Sequence, residues 1–178
     1  MEKVKWTLDP AHSEIGFKVR HLMITNVSGN FSRFDASVYT TGDDFMSAEI
    51  DFWLDVTSIN TNNADRDKHL LSPDFFDAEQ FKEISFVADS YENVDNDGSY
   101  ELWGNLTIKG TTKKVKLDVE FGGVVVDPWG NSKAGFTING KINRKDFGLN
   151  WNAVTEAGGV VVSDEIRIAC DVQLVKQG

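Results

Sequence analysis

The chain has 178 residues, with 18 Lys and Arg against 28 Asp and Glu, a formal net charge of −10. A length of this order suits one domain, and 40% hydrophobic with 26% charged residues marks a folded chain, not a disordered one. The acidic balance argues against general DNA or RNA binding, which needs cationic surface to displace counterions, and against docking on an anionic bilayer through a basic patch. A local basic pocket stays open, because 18 cations have still to be placed.

A single cysteine, Cys170, excludes an intrachain disulfide. It lies on the apolar side of the alternating run Ile166, Ile168, Cys170, Val172, Leu174, and so reads as a buried, inert thiol. No apolar run approaches the roughly 18 residues of a membrane-spanning helix. The segment Met1–Trp6 has no basic stretch followed by an apolar one, so no signal peptide is visible. With Met1 as the native start the chain is expected in the cytoplasm, and in the periplasm if a leader has been lost.

Period two dominates the chain from its start. A strand is predicted near 4–8, and Ile15, Phe17 and Val19 then alternate with Gly16, Lys18 and Arg20. After another strand near 33–40, Ala48, Ile50, Phe52, Leu54 and Val56 alternate with Glu49, Asp51, Trp53 and Asp55. The stretch from Asn62 to Pro73 breaks the pattern: an Asn cap, acids in the first turn and a stop at Ser72-Pro73 predict a short helix over 63–71. A tight turn through Asp74-Phe75-Phe76-Asp77 follows, and a lone helix beside a Phe pair suits a lid or plug.

Strands resume near 84–91 and 100–109, then at Val115, Leu117, Val119 and Phe121, at Phe136, Ile138 and Ile142, and near 160–175. Turns at Asp97-Gly98, Lys109-Gly110 and Trp129-Gly130 separate them, giving about eight to ten strands in all. The links are too short for helical crossovers, so pairing is antiparallel. The run Asp164–Val175 exceeds the usual strand of about five or six residues. An all-β closed barrel or a two-sheet sandwich follows, and periodicity does not choose between them.

Several constellations carry possible chemistry. Asn93-x-Asp95-x-Asp97-Gly98 begins like a calcium loop, but its twelfth position is Gly104, so a polar hairpin is expected. Asp65, Asp67 and His69 are metal-ligand types, yet a helix puts only Asp65 and His69 on one face; a charged helix surface with Asp65–His69 or Arg66–Asp67 contacts is expected instead. Asp9, His12 and Ser13 are triad types, but neighbouring strand residues point to opposite faces. There is no nucleophile elbow and no phosphate loop, and neither metal nor cofactor is expected. His21 continues the inward parity of Ile15, Phe17 and Val19, as a buried histidine or a polar group at a cavity mouth. Twelve Phe and five Trp fill either a core or an apolar cavity, and Gly104 among Leu102, Leu106 and Ile108 would leave room inside.

The residues Trp6-x-x-Asp9-x-x-His12-Ser13-x-Ile15-x-Phe17, His21, Gly29-x-Phe31, Ser58-Ile59-x-Thr61, Arg66-Asp67-x-His69-Leu70 and Phe75-Phe76-Asp77 form an ordered set. It continues with Gly104-x-Leu106-Thr107-Ile108-x-Gly110-Thr111-Thr112-x-x-Val115, Asp127-x-x-Gly130 and Arg144-x-Asp146-Phe147-Gly148. Across nearly the whole chain this set resembles the YceI-like family of lipid-binding barrels. The resemblance implies one domain over 1–178, an eight-stranded antiparallel lipocalin-like barrel with one short helical segment near one end. It implies binding, carriage or sequestration of a long-chain amphiphile such as a polyisoprenoid, a quinone or a fatty-acid-like lipid, without catalysis. Two features depart from the family: no export signal is visible, and Phe81-Lys82 stands where a Pro is common.

Matched by parity, the implied lining is Phe17, Val19, Phe31, Ile50, Phe52, Leu54, Phe86, Leu106, Ile108, Phe136 and Ile142. His21, Arg66, His69 and Arg144 are candidates for the ligand's polar end, with Arg66–Asp67 and Arg144–Asp146 pairing as the structural alternative. Two rival readings stand beside the carrier. One is an enzyme using His21 or His69 as acid–base with an Arg on an oxyanion. The other is a solid barrel that meets partners through Trp53 or Trp103, either of which could seed a homodimer.

Overall fold

The structure is a computed structural model that describes residues 3–22, 24–94, 98–152 and 162–177. Its strands begin with β1 (Lys3–Leu8) and β2 (Glu14–His21), two halves of one run broken by a 3₁₀ turn at Pro10–His12. Asp9 caps that turn by accepting from the Ala11 N–H. The next run breaks at a bend through Ser32 and Arg33, into β3 (Thr25–Phe31) and β4 (Phe34–Thr41). A third consists of β5 (Asp44–Asp55) and the two-residue β6 (Ile59–Asn60), split by a 3₁₀ turn at Val56–Ser58. β1 pairs with β4 and β2 with β3, while β4 pairs with β5 and β3 with β6. The six short strands therefore act as three long, kinked ones.

Five continuous strands complete the sheet: β7 (Glu83–Asn93), β8 (Ser99–Ile108), β9 (Thr111–Val126), β10 (Ser132–Asn143) and β11 (Val162–Lys176). Each pairs antiparallel with the next, β7 joins β5, and β11 returns to pair with β1 at one end and β2 at the other. Eight long strands thus close an up-and-down barrel, not a sandwich, and closure removes the free edges that an open sheet would expose.

The two ends differ. At the end carrying the turns at 42–43 and 127–131, Trp6 is fully buried and donates from Nε1 to Thr40 Oγ1 at 2.9 Å. Phe45 sits 4.9 Å from both Trp6 and Phe136, and Phe121 stacks on Phe136 at 5.2 Å. Offset aromatic pairs of this kind contribute about 0.5–1.5 kcal/mol each beyond the area they bury, and here they stopper the barrel. The opposite end carries helix α1 (Ala64–Leu71), the turn residues Leu22 and Ile24, the 109–110 turn and the segment 144–152.

The helix follows its sequence signals. Asn63 caps it, accepting from the Arg66 N–H at 3.0 Å; Asp65 and Asp67 lie in the first turn, and Ser72 ends it. Lys109 and Gly110 both take positive φ, as a tight hairpin requires. Asp95 and Asp97 of the calcium-like loop lie outside the described residues.

One strand is missing from the sequence reading, and one expectation is corrected. β3 carries no alternating apolar signal, because its inward positions are Val27, Gly29 and Phe31, with a glycine at the centre. Nor does Gly104 leave room inside: a Cβ there would overlap the Phe86 ring, just as one at Gly29 would overlap Phe17. Large rings on neighbouring strands fill the spaces above the small residues.

Candidate ligand-binding cavity

Above the aromatic stopper the barrel encloses a cavity of about 630 Å³. Its wall takes Phe17 and Val19 from β2, Phe31 from β3, Ile50, Phe52 and Leu54 from β5, and Phe86 from β7. Leu106 and Ile108 of β8 and Phe136 and Ile142 of β10 complete the apolar set expected from parity. Pairing explains the convergence: Phe52 lies opposite both Ala36 and Phe86, and Phe86 opposite Leu106, so one inward row runs through four strands. Cys170 is buried in the wall, where burial pushes its thiol up to about 11, and the buried Tyr100 phenol is likewise pushed up.

His21, Arg66, His69 and Arg144 border the same cavity at its α1 end. That end is the mouth, since the bordering Arg20, His21, Asn63 and Asp65 are solvent-exposed while Phe45, Phe136 and Leu174 at the other end are buried.

The partners of these groups differ from the expected ones. Arg66 donates from Nε to Thr61 Oγ1 at 2.8 Å and from Nη2 to the Thr61 carbonyl at 2.6 Å. Asp67 accepts from the Thr61 N–H at 2.9 Å and its hydroxyl at 2.5 Å. The buried Thr61 hydroxyl therefore sits between Arg66 and Asp67, which is why no direct ion pair forms between them. Arg144 meets Asp164 at 3.7 Å instead of Asp146. Its guanidinium, 1% exposed, donates to the carbonyls of Ser163 at 2.9 Å, Leu149 at 2.5 Å and Trp151 at 2.7 Å. This is a structural clamp, with its donors already committed.

His69 bonds through Nε2 to Asp74 at 2.9 Å instead of contacting Asp65. Its ring stands edge-on to Phe75 at 5.1 Å and to Trp151 at 4.8 Å. Phe76 reaches down to Phe31 at 6.4 Å. Helix, Phe pair and Trp151 together partly cover the mouth. The sequence pointed to the helix and the Phe pair, but Trp151 follows a stretch without periodicity and carried no signal.

Elsewhere, His12 bonds to Asp9 at 2.9 Å, while Ser13 Oγ accepts from the Gln173 N–H at 3.0 Å, so the two do not form a relay. Among the described residues no three His, Cys, Asp or Glu side chains are grouped to hold a metal ion. Trp53 is exposed on the outer wall beside Val87, and Trp103 is half-buried.

A closed eight-stranded meander with an apolar interior, one stoppered end and a polar-rimmed mouth defines a lipocalin-like barrel. Residues 6–174 match the model of the YceI-like domain, and the chain belongs to the YceI-like family. It is 37% identical over 169 residues to a Staphylococcus aureus UPF0312 protein, covering 94% of this chain and 95% of that one. The Campylobacter jejuni YceI crystal structure is 35% identical, with a TM-score of 0.76 and 96% of each chain covered. Burkholderia cenocepacia BcnA, 21% identical, shares the fold with a TM-score of 0.80 over 93% of this chain and 98% of that one. A polyisoprenoid binding domain from Saccharophagus degradans shares it at 14% identity, with a TM-score of 0.65 over 97% and 98%.

Proposed function

We propose that the barrel binds one long-chain amphiphile, a polyisoprenoid, quinone or fatty-acid-like lipid, and carries or sequesters it without changing it chemically. The observation that carries this reading is an apolar cavity of about 630 Å³ with its polar groups gathered at one end. Pockets of roughly 300–1,000 Å³ hold one small ligand, and an eight-stranded barrel is about wide enough for one slender chain. Each buried CH₂ is worth about 0.8 kcal/mol, so ten carbons offer about 8 kcal/mol before ordering costs. Affinity then needs no specific polar contact, and the mouth serves to sort head groups.

Of the mouth groups, His21 and His69 are the proposed head-group contacts, joined by Arg66 through whatever donors Thr61 leaves free. Arg144 has its donors on backbone carbonyls and is withdrawn from that role. The enzymatic rival is weaker: His69 spends Nε2 on Asp74, and the neighbouring Ser72 hydroxyl bonds the His69 carbonyl and not its ring.

Native mass spectrometry of the purified protein, followed by organic extraction, tests the reading. A long-chain species released on denaturation is the expected result, with displacement by fluorescent prenyl and acyl probes. Phe52→Asp, which puts a carboxylate on the wall, is expected to abolish probe binding. If neither probe type binds and nothing is extracted, the carrier reading fails.

A further inference from the structure

The chain's charge is unevenly distributed. Of its 18 lysines and arginines, only Lys3, Lys5, Lys133 and Lys176 belong to the stoppered end, where Asp43, Asp44, Glu49 and Asp127 also lie. All the others are on the half that holds the mouth. Four of these stand in register across the outer wall. Lys18 of β2 lies opposite Arg167 of β11, which lies opposite Lys141 of β10; Lys116 of β9 is next in line, since its neighbour Leu117 lies opposite Gly140.

Like charges placed directly across strands destabilise a sheet, and carboxylates only partly offset this row. Glu101 pairs with Lys116 at 2.9 Å, Asp118 lies 4.0 Å from it, and Glu165 stands 4.0 Å from Lys141 and 3.6 Å from Arg167. Among the described residues Lys18 and Arg20 have no carboxylate at ion-pair distance. The row lines a groove that Lys113 and Lys114 also border, with Asp118 and Asp146 as its carboxylates.

At the mouth edge of this wall, the turn that follows Arg20 and His21 exposes two large apolar side chains. Leu22 is 40% exposed, with φ +53, and Ile24 is 74% exposed. Neither borders the cavity. Exposed aliphatic tips beside a cationic row match an interface with an apolar layer under an anionic one.

We propose that this face docks on the surface of a bilayer containing anionic phospholipid, with Leu22 and Ile24 entering the interface and Lys18, Lys116, Lys141 and Arg167 meeting lipid phosphates. The rim that carries Leu22 and Ile24 then lies at the membrane from which an amphiphile is taken, so the proposal deepens the carrier reading and rests on it. Net charge does not forbid this. The acidic turns near Lys176 lie nine residues along β11 from Arg167, about 30 Å, against a Debye length of about 8 Å at physiological salt. The whole-chain charge, which argues against such docking, averages over that separation. Nucleic acid would use the basic row but gain nothing from the aliphatic tip. A second copy meeting it through this same face would bring like charges together.

Flotation with phosphatidylcholine vesicles, with and without phosphatidylglycerol, tests it. The expected result is binding only to the anionic vesicles, weakening as salt rises, and falling about fivefold for each of Lys18→Gln, Lys141→Gln and Arg167→Gln. Ile24→Asp is expected to abolish flotation. All four variants should keep the parent's melting temperature and its binding of acyl probe in vesicle-free solution. Equal binding to both vesicle types, or anionic binding untouched by the charge variants, overturns the proposal, as does binding to RNA in preference to vesicles. If the probe binds but the protein does not float, docking fails and the carrier reading stands. If it floats but takes no probe, the carrier reading fails and docking stands.

Discussion

The phenyl ring of Phe86 occupies the space that a side chain at Gly104 would need. Ala88 lies opposite Gly104 and Phe86 opposite Leu106, so the ring leans diagonally across the strand pair onto the glycine. Phe17 and Gly29 repeat the arrangement on the opposite wall, there as a directly opposed pair. Glycine here determines where a large ring rests, and so how wide the cavity is.

Gly104→Ala must therefore push the Phe86 ring off its seat and also shift the strand at the Val87 carbonyl, which the new methyl would meet at 2.6 Å. Overpacking of this kind costs about 1–3 kcal/mol. The expected outcome in urea unfolding is a loss of that size, with weaker binding of an acyl probe. Phe86→Leu in the same chain should restore part of the stability. Unchanged unfolding of Gly104→Ala alone would show that the ring repositions freely and does not define the wall.

Arg144 is a second case in which a charged residue at the cavity does structural work. Its donors join carbonyls of residues 149, 151 and 163, and Asn152 and Val162 bond reciprocally at 2.8 and 3.1 Å beside it. Burial lowers the pKa of the guanidinium, and nearby Asp164 offsets this only in part. Arg144→Met would leave several carbonyls unpaired, an expected loss of about 3–5 kcal/mol, in the range seen when a buried charged partner is removed. Arg144→Lys should rescue little, because one ammonium cannot span the same carbonyls. A variant of wild-type stability that has lost probe binding would return Arg144 to the ligand's head group.

Strands with alternating side chains were legible because burial on one face imposes period two on the residues themselves. Ile50, Phe52 and Leu54 line the cavity for the reason that they alternate with Glu49, Asp51 and Trp53. Helix α1 was legible because its cap and stop are local chemistry, read within about a turn of the chain. Partner choice was not. Arg66 goes to Thr61, His69 to Asp74 and Arg144 to backbone carbonyls, all fixed by where the chain folds back over the mouth. Sequence neighbours such as Asp67 and Asp146 offered plausible charges without geometry. The basic row was hidden for the same reason, since Lys18, Lys116, Lys141 and Arg167 are distant in sequence and meet only through strand register.

Trp53 is 42% exposed and Val87 45% exposed on the outer faces of β5 and β7, and Trp103 of β8 is half-buried nearby. A homodimer seeded by either tryptophan is a proposal that sedimentation velocity decides. If Trp53 seeds it, the wild type sediments with a concentration-dependent dimer and Trp53→Ala as a monomer at the same concentrations. Trp103→Ala should then have the smaller effect, because less of its ring is free to be covered. A wild type that is monomeric throughout removes the dimer.

Cys170 and Tyr91, with Tyr100, are expected to make the folded state lose stability at alkaline pH. Burial pushes the Cys170 thiol up to about 11 and the Tyr91 phenol up to about 12; in an unfolded chain these groups ionise near about 8.5 and 10. Between the two values the folded state keeps a proton that the unfolded state releases, so stability falls as pH rises. The Cys170 contribution is whole below about 8.5 and is lost as pH climbs through about 11. Unfolding free energies of wild type and Cys170→Ala should therefore run parallel up to pH about 8.5 and converge above it, the wild type falling more steeply. The same burial makes the thiol a poor nucleophile: alkylation at pH about 8 should be slow in the native protein and fast in urea. Prompt native alkylation would mean that the cavity wall opens at Cys170 far more often than its packing implies.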